Sequence, residues 1–390
     1  MLAIAVEVFA ALLALTGVGY LMLALWGARD FNHYWRGKKL DGFAPDVSIL
    51  KPVKGVDPRM YEGLASHCRQ EYAGRFEIVF GVSSLDDPAV GEIERLRVEF
   101  PACAIKLVEC RERLGTSGKV SNLVQMQREA SHEYLLINDS DIRVGPRYLA
   151  RVMASFAHAR VGMVTAPYRG MTAERGATLW ARLEALGIST DFFPGVFAAR
   201  KLEGGVRFGL GSTLAMRREA LEKSGGLEPL VECLGDDYEM GARIAAAGYR
   251  VELAPEVVET TVPAYGFCGF VDHQLRWART VRDSRKWGYV GLLVTYALPW
   301  AMMTCVASGF ALWSFTLLSV VALARVAVAL SVGVGILRDG QVLRDLWLLP
   351  LRDCFGLVFW LWSFAGDTIV WRGERFRLKD GRLSKVADQG

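Results

Sequence analysis

Apolar residues follow two different patterns along the chain. Residues 3–26 form one continuous apolar run with a single charge, Glu7. At about 1.5 Å per residue, a helix of this length crosses a hydrocarbon core of about 30 Å. Three more long apolar runs follow the middle of the chain, at residues 289–312, 313–337 and 346–371. This pattern predicts an N-terminal membrane helix and further membrane segments near the C-terminus.

Between about residues 46 and 263, short apolar runs alternate with stretches of helical period. Strands are predicted at residues 46–51, 76–82, 104–109, 133–138 and 161–166. Helices are predicted between them at residues 58–70, 88–100, 119–130 and 146–159. This alternation favours a mainly parallel sheet covered on both faces. Ligands of such sheets bind beyond the carboxyl ends of the strands.

Composition supports a mixed protein: 52% of the residues are hydrophobic, yet 23% are charged. Basic residues follow the first apolar run, which places that end of the run in the cytosol. Whether the later runs make three crossings or include a re-entrant segment stays open. Seven scattered cysteines lack metal-ligand spacing and predict reduced thiols. The predicted parts are an N-terminal membrane helix (1–28), a cytosolic catalytic domain (29–265), an interfacial amphipathic helix (266–288), membrane-embedded helices (289–371) and a basic tail (372–390).

Two carboxylates, Asp139 and Asp141, directly follow the predicted strand 133–138. Adjacent carboxylates at the end of a buried strand repel each other, so a positive partner is expected there. Hard divalent ions bind one or two carboxylates together with substrate phosphates. The alternative is a solvated turn with an Asp cap before Pro146. The position at a strand end favours the metal site.

Two further acidic pairs occur at the ends of predicted elements. Asp86 and Asp87 follow the strand 76–82, and Asp87 before Pro88 suits either a helix cap or a ligand contact. Asp236 and Asp237 precede a predicted helix. Capping explains only one of them, and like-charged neighbours raise a carboxylate pKa towards that of a usable general base.

A basic amphipathic stretch, residues 272–289, precedes the next apolar run. Its cations recur every three to four residues, which is typical of an interfacial anchor that contacts lipid phosphate. We interpret most of these cations in that way. Arg276 is the exception, since an Arg fork suits the developing charge of a diphosphate leaving group. The other cations are Arg279, Arg282, Arg285 and Lys286.

Six sequence blocks occur in a fixed order along the chain: "SILKPVKGVDP", "DDPAV", "GKVSNL", "NDSDIRV", "DDYEMG" and "WRGERFRL". This ordered set resembles the ceramide glucosyltransferases, within glycosyltransferase families 2 and 21. The resemblance covers nearly the whole chain. It implies the GT-A fold, an α/β catalytic domain with a Rossmann-like mixed sheet, together with α-helical transmembrane segments.

The resemblance also implies roles for matching positions. Asp139 and Asp141 would hold Mn²⁺ or Mg²⁺, and Asp237, beside Asp236, would be the catalytic base. The predicted donor-binding residues are Lys51, Pro52, Asp86, Asp87, Lys119, Asp139, His273, Gln274, Arg276 and Trp277.

This chain departs from the family pattern at two positions. His273 stands where the family has Gln or Arg, so either His273 contacts the donor differently or Gln274 substitutes for it. Asp141 stands where animal members often have Gly, which strengthens the expectation of a metal site.

The resemblance therefore implies an inverting transfer of glucose from UDP-glucose to the primary hydroxyl of ceramide. The protein would lie in the inner cell membrane as a multi-pass protein, with its catalytic domain in the cytoplasm. Its partners would be a UDP-sugar, a ceramide-like acceptor and membrane lipids, with no nucleic acid. One alternative is transfer to another lipid alcohol, such as a hopanoid with UDP-GlcNAc. Others are an inactive membrane scaffold and a processive polymer synthase.

Overall fold

The computed structural model describes residues 1–38, 40, 42–173, 176–371 and 374–385. The strands are β1 (Val47–Pro52), β2 (Phe76–Val82), β3 (Ala104–Glu109), β4 (Tyr134–Ile137), β5 (Ile142–Arg143), β6 (Val161–Thr165), β7 (Tyr168–Met171), β8 (Leu214–Arg217), β9 (Arg250–Leu253), β10 (Val258–Thr261), β11 (Thr368–Trp371), β12 (Glu374–Lys379) and β13 (Arg382–Lys385). The helices are α1 (Leu2–Trp35), α2 (Met60–Cys68), α3 (Ala89–Glu99), α4 (Gly118–Glu129), α5 (Tyr148–Ala154), α6 (Leu179–Gly187), α7 (Phe193–Glu203), α8 (Arg218–Lys223), α9 (Asp236–Ala246), α10 (Phe267–Ser284), α11 (Lys286–Gly291), α12 (Ala297–Ala307), α13 (Leu312–Val328), α14 (Gly340–Asp345) and α15 (Leu349–Ser363).

The chain divides into two compact units. The helical unit contains Met1–Arg36, Thr172–Gly204 and Val262–Asp380, and the sheet unit contains Gly37–Met171, Gly205–Thr261 and Gly381–Gly390. Residues 172–204 therefore belong to the helical unit, although the segments before and after them in the sequence belong to the sheet unit. The domain bounds given above stay a prediction.

A seven-stranded sheet with the order β3-β2-β1-β4-β8-β6-β9 forms the core of the sheet unit. All five predicted strands are present, each within one residue at both ends. The sheet is mixed, because β8 runs antiparallel to both β4 and β6. Its central strand β4 is buried along its whole length. Burial on both faces explains why its sequence is continuously apolar instead of alternating.

A second, three-stranded sheet has the order β5-β10-β7. β10 pairs antiparallel with β5, so that Thr260 lies opposite Ile142. The next residue along β5, Arg143, and Arg169 on β7 both form ion pairs with Glu259, at 2.5 and 2.6 Å. These contacts join all three strands and place Thr260 beside the turn that contains Asp139 and Asp141.

Long apolar helices dominate the helical unit. Three are long and apolar enough to cross a membrane: Ala3–Trp35, Leu312–Ile336 and Gly340–Ser363. Gly17 and Gly27 let α1 approach its neighbours closely, since a Cβ there would lie 2.5 Å from Ala297 and 2.3 Å from the Phe197 carbonyl oxygen. Small residues at such contacts are typical of helices that pack in membranes.

Two predicted membrane runs differ from the structure. The run 289–312 is a pair of helical segments, Lys286–Thr295 and Ala297–Ala307, bent by 51°. The run 346–371 is helical only to Ser363, and its last residues form β11, which pairs antiparallel with β12. Residues 372–373 and 386–390 of the predicted tail lie outside the described residues.

An ion network is buried in the helical unit. Arg325 on α13 binds Asp353 on α15 through two nitrogens, at 2.7 and 2.9 Å, and also pairs with Asp191. Arg352 lies 3.1 Å from the same Asp191. Charged residues within apolar helices are costly unless they are paired. The expectation that Arg352 and Asp353 are paired or face protein is therefore confirmed.

Candidate active site

Asn138, at the end of β4, anchors the turn that follows it. Its amide nitrogen donates to the Tyr148 hydroxyl at 2.9 Å and to the Ser212 carbonyl at 2.6 Å. The imidazole of His67 lies 3.2 Å from its amide oxygen. Asn138 and His67 are completely buried. Buried polar networks of this kind hold a turn in one conformation because each lost contact leaves an unsatisfied group.

The turn places Asp139 between two lysines. The Lys119 ammonium lies 2.8 Å from Asp139 Oδ1 and 3.2 Å from Asp236 Oδ2. The Lys51 ammonium donates to the Asp139 carbonyl at 3.0 Å. The positive partner expected at this turn is thus supplied, at least in part, by the chain itself.

The two lysines differ in charge state. Lys51 is completely buried, and this burial lowers its pKa to about 7, although Asp141 and Asp139 oppose the change. For Lys119, burial again opposes the charge, but the carboxylates of Asp139, Asp236 and Asp237 outweigh it and raise the pKa. Lys119 is therefore a permanent cation at neutral pH, whereas Lys51 titrates near it.

Asp141 points to the second sheet. The hydroxyl of Thr260 on β10 donates to Asp141 Oδ2. Burial raises the pKa of Asp141, and the charge of Asp139 raises it further. Thr260 had not been identified from the sequence, because it lies 119 positions from Asp141. No local pattern reports so distant a pairing.

Asp236 and Asp237 begin α9, where the helix dipole favours negative charge. Burial is nevertheless the largest effect on both side chains. It raises the pKa of Asp236, and together with the charge of Asp236 it raises the pKa of Asp237 to about 6. Lys119 counteracts both increases. A carboxylate with a pKa near 6 is ionised at neutral pH and still accepts a proton readily.

Gly211 separates the two acidic groups. A Cβ at this position would lie 3.2 Å from Asp237 Oδ2 and 3.3 Å from Asp139 Oδ2. The preceding Gly209 donates its amide to the Asp237 carbonyl at 3.2 Å. The segment "GLGS" thus brings a side-chain-free surface against both carboxylates. The two glycines of this segment are visible in the sequence. Their role could not be predicted from it, because it depends on the carboxylates that lie next to them in space.

The pair Asp86 and Asp87 is divided between different environments. Asp87 accepts from the Gly55 amide at 2.9 Å and from the Ala89 amide at 2.9 Å. It therefore caps α3, one of its two predicted roles, and also holds the loop that follows β1. Asp86 is exposed and contacts Ser84 in its own turn. Pro52 ends β1, next to Lys51.

The remaining predicted residues lie on α10, in the helical unit. His273 Nδ1 is 3.0 Å from Glu184, and its ring lies between Tyr265 and Trp277, with centroids at 5.5 and 5.4 Å. Glu184 therefore already engages one imidazole nitrogen. Gln274 and Arg276 are half-buried on the same helix.

The interpretation of the cations after Arg276 as lipid-phosphate anchors is wrong for Arg279 and Arg282. Arg279 donates to the Thr368 carbonyl, and Arg282 donates to the carbonyls of Ser363 and Gly366. These carbonyls lie at and beyond the C-terminal end of α15, where backbone acceptors lack helical partners. Arg285 and Lys286 pair with carboxylates, those of Glu203 and Asp380. A period of three to four residues does not show which partner occupies the basic face.

The residues of the turn fit a divalent cation in part. Asp139 and Asp141 are oxygen donors of the type that Mn²⁺ and Mg²⁺ take, and a cation between them relieves their repulsion. Within the described part of the chain, no group of three His, Cys, Asp or Glu side chains is placed to hold a metal. The donor set therefore suits an ion that takes its other ligands from a phosphate group and water.

The mixed sheet and its acidic edge define a protein with the glycosyltransferase architecture. The structure resembles a mannosyltransferase from Pyrobaculum calidifontis, solved in complex with GDP-Man and Mn²⁺, with a TM-score of 0.53 and 22% identity. The match covers 92% of this chain and 99% of that one. This similarity confirms the predicted GT-A-type fold class.

The chain belongs to glycosyl transferase family 21, whose family model matches residues 9–384. Ceramide glucosyltransferase 3 of Caenorhabditis elegans is 27% identical over 245 residues, which are 62% of this chain and 51% of the relative. A ceramide glucosyltransferase of Gibberella zeae is 27% identical over 42% of this chain and 34% of the relative. The matched regions thus span about half or less of these relatives. The resemblance inferred from the motifs is confirmed.

Proposed function

We propose that this protein is a membrane-embedded inverting glycosyltransferase that transfers glucose from UDP-glucose to the primary hydroxyl of ceramide. The observation that carries the proposal is the acidic cluster at the sheet edge, in which Asp237 has a pKa of about 6. The ceramide glucosyltransferase relatives support the choice of donor and acceptor. Three candidate membrane spans support a lipid acceptor.

Asp237 is the proposed general base. Its carboxylate takes the proton of the acceptor hydroxyl while the hydroxyl oxygen attacks the anomeric carbon of the sugar. The bond to UDP breaks in the same step, and UDP leaves with the electron pair. A single displacement inverts the anomeric carbon, so an α-linked donor yields a β-linked glycolipid. Asp236 supports the base because its charge raises the pKa of Asp237.

The transfer also requires that the negative charge of the leaving UDP is neutralised. Lys119 is the permanent cation of the cluster, and Asp139 and Asp141 would hold Mn²⁺ or Mg²⁺. Such an ion would neutralise part of the diphosphate charge. Lys51, Pro52 and Asp87 are proposed to shape the nucleotide pocket.

The donor-binding roles proposed for residues on α10 are based on their match to the family's motif. Arg276 and Trp277 are proposed to bind the donor diphosphate, as their matching positions imply. Glu184 already engages one nitrogen of His273. We therefore propose that Gln274 makes the donor contact that the family assigns to the first residue of the motif. The protein is further proposed to lie in the inner membrane as a multi-pass protein, with this site in the cytoplasm.

Product identification tests the proposal. Purified protein is incubated with Mn²⁺ and UDP-glucose, UDP-GlcNAc or UDP-galactose, each with ceramide and with a hopanoid alcohol. We expect β-glucosylceramide by mass spectrometry, with its anomeric configuration assigned by NMR. Absence of any glycolipid would favour the inactive scaffold. Unchanged activity after chelation would remove the metal from the proposal.

A second donor sugar has support of its own. An N-acetylglucosaminyltransferase of Sinorhizobium fredii is 25% identical over 256 residues, covering 62% of this chain and 59% of the relative. This relative supports GlcNAc as the transferred sugar, and the proposed alternative is its transfer from UDP-GlcNAc to another lipid alcohol. A product from UDP-GlcNAc but not from UDP-glucose would favour it.

A further inference from the structure

A cleft of about 570 Å³ lies in the helical unit beside the C-terminal end of α1. Most of its lining comes from α1 itself, and Ser331, from the π-helical segment Ala329–Ile336, contributes from the other side. The residues of α1 that line it include Arg29, Asn32, His33 and Arg36. The cleft therefore combines two permanent cations with two side chains that donate hydrogen bonds.

The two faces of this part of α1 differ in their partners. On one face, Asp30 binds Arg200 and Lys201 of α7 at 2.8 and 2.7 Å. On the cleft face, the side chains of Arg29 and Arg36 are exposed and form no ion pair with any residue that the structure describes. The charge on the α7 face is thus matched within the protein, whereas in the described part of the chain the positive charge of the cleft face has no matching anion.

The position of the cleft along α1 indicates what would occupy it. The exposed large side chains of the preceding turns are apolar and include Leu15 and Met22. Trp26 is 59% exposed, and tryptophan is enriched at the boundary between hydrocarbon and head groups. Arg29 follows Trp26 by about one helical turn, or about 4.5 Å. The cations therefore lie at the expected level of lipid phosphates.

We propose that this cleft binds the phosphate of an anionic glycerophospholipid, with Arg29 and Arg36 as its charge partners and Asn32, His33 and Ser331 as hydrogen-bonding groups. The proposal rests on the membrane embedding proposed above, but it assigns a lipid site separate from the acidic cluster. The C-terminal end of a helix carries roughly half a negative charge, which the two arginines outweigh. A zwitterionic head group brings its own cation next to the two arginines, whereas an anionic head group brings only negative charge, so the cleft favours anionic lipids.

Native mass spectrometry of the full chain, released from nanodiscs, tests this site. The probes are palmitoyl-oleoyl-phosphatidylglycerol, the matching phosphatidylcholine, and free glycerol 3-phosphate. We expect retained phosphatidylglycerol and little of the other two. Arg29→Gln and Arg36→Gln should each weaken retention about fivefold, the change expected for one basic residue near an anionic surface. Arg344→Gln removes an exposed cation elsewhere in the same unit and should leave retention unchanged.

Three results would overturn the site. Equal retention of both lipids would remove its charge selectivity, and unchanged retention in both cleft variants would place the lipid elsewhere. Equal binding of glycerol 3-phosphate would assign the cleft to a soluble phosphate. The proposed membrane embedding fails separately, if the chain is recovered without detergent in the soluble fraction. Glycolipid synthesis is measured on the same preparations. Its absence would contradict the proposed activity without affecting the lipid-retention result.

Discussion

Two groups of buried charges differ in how well their charges are balanced. In the sheet unit, four carboxylates surround two lysines: Asp139, Asp141, Asp236 and Asp237 with Lys51 and Lys119. In the helical unit, two arginines face two carboxylates: Arg325 and Arg352 with Asp191 and Asp353. The first group has a surplus of negative charge, and the second is neutral.

Burial opposes charge in both groups, and in the sheet unit the carboxylates also outnumber the lysines. Asp141 and Asp237 have raised pKa values because burial and neighbouring charge oppose their ionisation. Arg325 and Asp353 instead satisfy each other with two hydrogen bonds, and their side chains are 5% and 6% exposed. Burial of charge alone therefore does not mark a functional site. An unbalanced and partly exposed group does, because it can accept a proton or a cation.

The largest effect is expected from Asp237→Asn, which removes the proposed base while keeping its shape. Turnover should fall by about 10²- to 10⁴-fold, with UDP binding retained. Activity assays and calorimetric UDP titration measure the two quantities. Glu222→Gln, at an exposed carboxylate of the same unit, is the control. Near-normal turnover of Asp237→Asn would contradict the assignment of the base.

Loss of one charge from the neutral network should lower the stability of the folded protein. Arg325→Met leaves Asp353 and Asp191 with less positive charge inside the helical unit, which costs about 3–5 kcal/mol. Thermal unfolding in detergent measures this loss. The double variant Arg325→Met/Asp353→Leu removes both partners and should lose less than the single one. A stable single variant would show that the pairing is dispensable and would weaken the contrast between the two groups.

Loss of a turn carboxylate should weaken donor binding. Asp139→Asn and Asp141→Asn are each expected to reduce Mn²⁺-dependent UDP affinity about 10- to 100-fold, since interactions with a charged group are worth about 1.5–3 kcal/mol. Titrations with and without chelator measure this. If chelation weakens UDP binding equally in wild type and variants, the turn is not the metal site.

The activity should depend on pH through Asp237. Its carboxylate form is the base, so kcat/KM should fall about tenfold per pH unit below its pKa of about 6 and level off above it. Lys119 lowers this pKa. Lys119→Gln should therefore move the acidic limb to higher pH, besides reducing activity. If the acidic limb of the Lys119→Gln profile lies at the same pH as in the wild type, Lys119 does not lower the pKa of the base.

The smallest effect is expected from Thr260→Val. This change removes the hydroxyl that stabilises ionised Asp141, at a cost of about 1 kcal/mol or about fivefold in Mn²⁺-dependent UDP affinity. Calorimetry compares the variant with Thr261→Val, its neighbour on β10. Equal effects of the two changes would indicate a general disturbance of the second sheet.

Much of the fold follows from local patterns, whereas the site follows only in part. Strands β2 and β3 match their predicted bounds, because short and mostly apolar runs between turns have few other solutions. The acidic pairs were recognisable as well, since carboxylates directly after buried strands are unusual. Lys51 and Lys119 were predicted only as donor-binding residues, and their direct contacts with Asp139 were not predicted, because they span 88 and 20 positions of the chain.

By itself, the sequence determined the kinds of elements, the candidate membrane spans and the ordered motifs of the family, since these depend on neighbours along the chain. Only the tertiary structure decided which charges neutralise one another. It assigned Arg279 and Arg282 to backbone carbonyls instead of lipid, and it brought Thr260 and Gly211 to the acidic cluster. The physical reason is that charge balance and burial depend on distances in space, and local periodicity carries no information about them.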